Sequence, residues 1–373
     1  MVLYILGFVY IFISFVFRKK YNPFWGWLIV FIVMAFQSNV PGDYVSYLTD
    51  FIKIAADSHH LDSLQTEKGW NYINYIFSKV ANFKVMIFCI SLVEYLALAS
   101  FTKRYALRGF AFVSALIFYF STNMMLFQMK GIRQGLAVEL SLMALMFIDL
   151  KGVMRGGFYS ILLLILSYFI HSSSAIFFPF VFIAILMKKY DWSMFKSSSQ
   201  NFIFPSVITS IYVLLYIFKV VAIDFIQPLL LGISLGGREG YFGEMEFVDY
   251  NILITVCGAI FTFAVAYVMQ VQNGFLKFLS LLTLIALFME MFFYGMGNLF
   301  RLTLYVGIVS LVTLPNVSSY LCMKNHKIAA WIFSCLVIAY FWRGFITQSI
   351  YHSYNGFDNY ICLLYTSPSP RDA

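Results

Sequence analysis

Charge is scarce in this chain: Asp, Glu, Lys and Arg make up 11% of its 373 residues, against about 25% in a soluble domain. The shortage runs the whole length, which excludes a soluble domain hung on one anchor. Cysteine is thin as well. The five present (Cys89, Cys257, Cys322, Cys335, Cys362) form no CxxC pair and do not cluster with histidine, which argues against a disulfide framework or a zinc site. The first apolar stretch, "VLYILGFVYIFISFVF", has no basic region before it and no small-residue cleavage site after it. It reads as a retained span and not as a secretory leader. A net charge of +8 would suit nucleic acid, but the basic residues sit between apolar runs and report topology instead.

Apolar residues are abundant, at 61%, with 20% aromatic. Crossing the hydrocarbon core takes ~20 mostly apolar residues. Candidate runs lie near 2–17, 23–37, 85–101, 109–127, 134–149, 157–170, 173–187, 201–219, 251–270, 275–294, 302–321 and 328–346. The expected fold is therefore all-α, a polytopic integral membrane helix bundle of about 12 (10–14) spans. The runs 157–170 and 173–187 are short enough for a tight or partly re-entrant hairpin.

Lys and Arg collect in alternate loops: Arg18, Lys19, Lys20; Lys103, Arg104, Arg108; Lys151, Arg155; Lys188, Lys189, Lys196; Lys277; Lys324, Lys327. Those fourteen face two acids, Asp149 and Asp191, whereas the other loops and flanks hold ten basic residues and eleven acids. The positive-inside rule makes the first set cytoplasmic, with both termini extracytoplasmic. Two outer loops are long, about 38–84 and about 220–250, and function tends to sit on such loops. A single membrane domain is expected over 1–361. The tail "CLLYTSPSPRDA" (362–373) resembles a translated sequencing adapter and is set aside as an expected artefact.

Several outward motifs carry chemistry. In "MKGIRQGLAVEL" (129–140), Lys130 and Arg133 share a helix face, and Gln134 follows. An Arg fork beside a Lys suits phosphate oxygens, although an arginine at a helix end also simply snorkels. Glu139 lies deeper, where an acid is costly unless paired. In "NVPGDYVSYLTDF" (39–51), Asp43, Tyr47 and Asp50 recur at helical spacing. Asp43 reads either as a helix cap or as a sugar-hydroxyl ligand or general base. "TEKGWNYINYIF" (66–77) sets Glu67 beside Trp70 and other aromatics, a pairing that suits sugar rings as well as the bilayer interface. "FIHSSSAIF" (169–177) places His171 at an outer turn; histidine titrates near neutrality, but a lone one is more often structural. "YGMGNLFRLTLY" (294–305) puts Asn298, Arg301 and Tyr305 on one expected helix face, and Arg238 adds an outer arginine on a Gly-rich loop. No cluster resembles a metal site, although Asp43 with Glu67 could hold a divalent ion.

In that order, "GDYVSY", "EKGW", "IRQGLA", "IHSSS" and "NLFR" resemble the EpsG family of Wzy-like polysaccharide polymerases, over roughly 1–361. The resemblance implies a bacterial inner-membrane glycosyltransferase that joins undecaprenyl-diphosphate-linked oligosaccharide units into exopolysaccharide or capsule at the outer face. Its implied partners are the bilayer, the lipid-linked oligosaccharide and other assembly proteins such as a flippase and a chain-length regulator, with no nucleic acid, cofactor or required metal. Such chemistry needs cations for the leaving diphosphate, here Arg133, Arg301 and Arg238 with Lys130. It also needs a base, here Asp43, then Glu67, then His171. Gln134, Tyr47, Trp70, Asn298 and Tyr305 complete the expected substrate contacts. Two other readings stay open. Buried Glu94, Glu139 and Glu290 suit a transporter or flippase, and His171 suits an O-acyltransferase that decorates the glycan.

Overall fold

A computed structural model describes residues 23–37, 43–64, 66–107, 110–121, 124–125, 127–192, 196–231, 252–294 and 297–351. The expectations for 2–17, for the 362–373 tail and for Arg238 lie outside these residues. Every regular element among the described residues is a helix. In chain order they are α1 (Pro23–Ala35), α2 (Asp43–Ala56), α3 (His60–Ser63), α4 (Lys68–Val80), α5 (Phe83–Tyr105), α6 (Ala111–Phe120), α7 (Phe127–Lys130) and α8 (Ile132–Leu150). There follow α9 (Val153–Ile170), a 3-10 turn (Ser172–Phe177), α10 (Phe178–Lys189), α11 (Ile203–Leu231), α12 (Ile252–Met269) and α13 (Gly274–Phe293). A second 3-10 turn (Gly297–Leu302), α14 (Thr303–Gly307), α15 (Ser310–Met323) and α16 (Lys327–Tyr351) complete the set.

Local chemistry sets several of these boundaries. Asn82 caps α5 by accepting the Val85 N–H at 3.0 Å, which satisfies an otherwise orphaned donor. Proline stands in the first turn of α10, where its missing N–H costs nothing. Pro315 lies inside α15, which follows a 55° bend from the segment Phe300–Gly307.

Among the described residues, five helices are long and apolar enough to cross a membrane: Phe83–Tyr105, Val153–Ile170, Ser172–Lys189, Ile252–Met269 and Gly274–Phe293. A sixth joins them if the bent pair Phe300–Gly307 and Ser310–Met323 is one span, and three shorter apolar helices lie at Gly26–Ala35, Ile203–Lys219 and Lys327–Phe341. The molecule is thus an all-helical membrane protein, with five to six span candidates among the described residues where the sequence suggests about a dozen in all. The short pair near 157–187 folds as two span-length helices that meet at His171.

Two expectations change. The segment 38–84 is not an extended loop, because α2, α3 and α4 occupy it. Their apolar faces drive this, burying Tyr44, Tyr47, Phe51, Ile54 and Trp70. The run 109–127 is not one continuous helix either: α6 stops at Phe120, and α7 begins only at Phe127. The α8 segment is a core helix, with buried residues around its whole circumference from Gln134 to Ile148. It packs against α5 and α9, while α9 and α10 turn Leu162, Phe169, Phe182 and Leu186 outward, as a lipid-facing surface requires.

Candidate functional site

The site forms where α4, α8 and the α9 end converge. Gly131 breaks the helix between α7 and α8, so Arg133 enters α8 in its first turn. On the facing element Glu67 precedes α4. Its own side chain makes no capping bond and is left for other partners. Thr66 Oγ1 donates to Asn71 Oδ1, and Asn71 Nδ2 donates to the Leu61 carbonyl at 3.0 Å, which pins the turn before α4. Glycine at 69 then lets α4 touch α9, because a Cβ there would lie 2.5 Å from the Phe169 carbonyl oxygen. Two residues beyond Phe169, α9 ends at His171.

Glu67 is the hub of the site. Arg133 Nη1 donates to its Oε2, and His171 Nδ1 stands 3.0 Å from its Oε1. The Ser172 N–H and hydroxyl both donate to the same Oε1 at 3.3 Å. Burial alone would raise this carboxyl, but the His171 hydrogen bond and the Arg133 charge outweigh it and hold it at about 2. Glu67 is therefore a fixed anion and a poor proton acceptor near neutrality.

Arg133 also lies over the Tyr47 ring, 5.3 Å from its centroid, a favourable cation–π placement. The Tyr47 ring meets Trp70 edge-on at 5.4 Å, and its hydroxyl donates to Asp43 Oδ2 at 3.3 Å. Burial pushes the Tyr47 phenol up to about 12, with the Arg133 charge opposing it, so it remains a neutral donor. Arg133 Nε is buried and has no hydrogen-bond partner among the described residues, so the fork keeps a donor to spare. Lys130, the last residue of α7, is half-buried and forms no ion pair among the described residues.

The structure thus brings together Asp43, Tyr47, Glu67, Trp70, Arg133 and His171, from motifs spread over 129 positions of sequence. Their exposures differ. Asp43 is exposed and stands in the first turn of α2, whereas Trp70 is fully buried behind Tyr47 and offers no free face to a sugar. Gln134 is buried and donates to the Arg301 backbone carbonyl at 3.0 Å, which ties α8 to the second 3-10 turn. The expected shared face does not hold for Arg301 and Tyr305, because 3-10 geometry continues through Leu302 and α14 begins only at Thr303. Arg301 is exposed, while Tyr305 is fully buried near Glu67 and Arg133. The Asn298 side chain lies outside the described residues.

Sequence reasoning missed two contributors. Ser172 was passed over beside its serine neighbours, and only the turn after α9 aims it at Glu67. Asp50 is buried within reach of the Arg133 charge, and its periodicity with Asp43 and Tyr47 was the available signal.

An all-helical membrane protein with an arginine–carboxylate–imidazole cluster at one mouth of its core helix is the class that fold and site define. Within that class the chain belongs to the EpsG family, whose model matches residues 23–362. No curated protein and no solved structure matches it.

Proposed function

We propose that this chain is a polysaccharide polymerase of the membrane, joining undecaprenyl-diphosphate-linked oligosaccharides into exopolysaccharide or capsule at the outer face of the bacterial inner membrane. The observation that carries this reading is Glu67 held at once by Arg133 and His171. In the reaction a sugar hydroxyl of one unit attacks the anomeric carbon of another. The bond from that carbon to the diphosphate breaks, and the lipid diphosphate leaves. Arg133 and Lys130 stabilise the charge that develops on the leaving group, and Arg301, at the same mouth, assists.

The hydroxyl proton goes to His171. A carboxylate against Nδ1 favours the tautomer protonated there and leaves the Nε2 lone pair as the acceptor. This preference moves the base from Asp43 to His171, with Asp43 and Tyr47 as contacts for the sugar. Arg238 and Asn298 stay in the proposal as further substrate contacts.

The test is Arg133→Ala and Arg301→Ala in the native host, with glycan chain length and lipid-linked units measured. Loss of long chains with single units accumulating on the outer leaflet is expected, most strongly for Arg133→Ala. Normal long chains in both variants would sink the reading. Accumulation on the inner leaflet would point to a flippase instead.

A further inference from the structure

Deeper in the bundle lies a second polar group that glycosyl transfer does not use. Glu94 on α5, Gln128 on α7 and Glu139 on α8 are 2%, 3% and 0% exposed. They converge because residue 135 is glycine: a Cβ there would stand 2.8 Å from Glu94 Oε1 and 3.1 Å from Gln128 Cβ. Gln128 Nε2 donates to Glu139 Oε1 at 3.2 Å, and the Glu139 charge reaches Glu94. Three oxygens are then left without a hydrogen-bond partner among the described residues: Glu94 Oε1, Gln128 Oε1 and Glu139 Oε2.

Neither acid forms an ion pair among the described residues, and Arg133, on the same helix as Glu139, is already paired with Glu67. Two bare carboxylates in so enclosed a place would face a desolvation penalty that one amide hydrogen bond does not offset. Positive charge must therefore reside there. The amide oxygen of Gln128 is an independent, neutral ligand with no other employment. Three oxygens are too few for a metal cation: calcium takes six to eight, magnesium an octahedral six, and alkali ions likewise more than three, whereas a proton needs one oxygen to carry it and a second to accept from it.

We infer that Glu94, Gln128 and Glu139 form a buried proton site, in which at least one of the two carboxyls is protonated and the Gln128 amide helps to hold the proton. Six residues separate Glu139 from Arg133, about 9 Å at 1.5 Å per residue. The proton thus sits one layer beneath the anion-binding mouth, on the same helix. The inference stands independently of glycosyl transfer.

Infrared difference spectroscopy on the purified full-length protein in detergent tests it, in choline, sodium and potassium chloride. In choline a protonated-carboxyl band is expected, and Glu94→Gln and Glu139→Gln each remove or shift it. Persistence of the band in sodium and potassium identifies a proton as the occupant. Its conversion to carboxylate bands by either metal would overturn the proton site in favour of an alkali ion. Carboxylate bands alone in all three salts, unchanged by salt exchange and by both variants, would overturn the site. Should a Glu variant fail to fold, Gln128→Leu decides: it shifts the band if the amide is a ligand, and an unchanged spectrum overturns the inference.

Discussion

Glu67 accepts from a guanidinium, a backbone N–H and a hydroxyl while an imidazole stands against it, so its ionised form is what the surrounding residues are arranged to hold. That has a thermodynamic consequence. Its folded pKa of about 2 lies below the ~4.3 of a free glutamate. The stabilisation is then fully present above ~4.3 and is lost as pH falls towards 2. Its ceiling is on the order of 3 kcal/mol, reduced by the 23% of the side chain still open to solvent. Glu67→Gln should lower the unfolding midpoint of the detergent-solubilised protein at pH 7. The gap to wild type should shrink as pH falls from about 5 to about 3. A gap that stays constant with pH would mean that packing, and not the carboxylate charge, supplies the stability.

Glycines let elements approach at both polar groups, Gly69 at the Glu67 hub and Gly135 at Glu94, Gln128 and Glu139, and the first gives the sharper prediction. A Cβ at residue 69 would overlap the Phe169 backbone, which cannot swing aside as a side-chain tip can. Gly69→Ala should push α4 away from α9 and stretch the Glu67–His171 contact. Glycan polymerisation should fall at least tenfold while the folded protein still reaches the membrane; undiminished polymer would show that the close approach is dispensable. This dependence also explains what could be read in advance. Apolar runs announced a helical membrane protein, and the short motifs around Glu67, Arg133 and His171 marked residues that do converge. Their order of importance stayed hidden, since Asp43 outranks Glu67 and His171 until the hub geometry is known. Helical spacing misled at Arg301 and Tyr305, where 3-10 geometry changes the register. The meeting of Glu94 with Glu139, 45 positions apart, left no local signal at all.

Across the whole molecule the charges sort to two poles of one helix. At the Ile132 end of α8 stand Lys130, Arg133, Glu67 and His171. At the Leu150 end, Arg104 pairs with Asp149 at 3.2 Å, the Tyr105 hydroxyl donates to the same carboxylate at 2.8 Å, and Lys188 donates to the Asp149 carbonyl at 3.3 Å. The nineteen residues of α8 span about 28 Å at 1.5 Å each, close to the ~30 Å hydrocarbon core. On the topology proposed above, the second pole, which gathers Lys103, Arg104, Lys151 and Lys188, faces the cytoplasm and the Arg133 cluster faces outward. Single cysteines in a background without the native ones check this directly. Lys53→Cys and Lys68→Cys should react with a membrane-impermeant maleimide in intact cells whose outer barrier, if any, has been opened. Lys103→Cys and Lys324→Cys should react only after the inner membrane is permeabilised; all four native lysines are exposed. The reverse pattern would place the site in the cytoplasm and remove the extracytoplasmic polymerase with it, since its lipid-linked units would then have no access to Arg133.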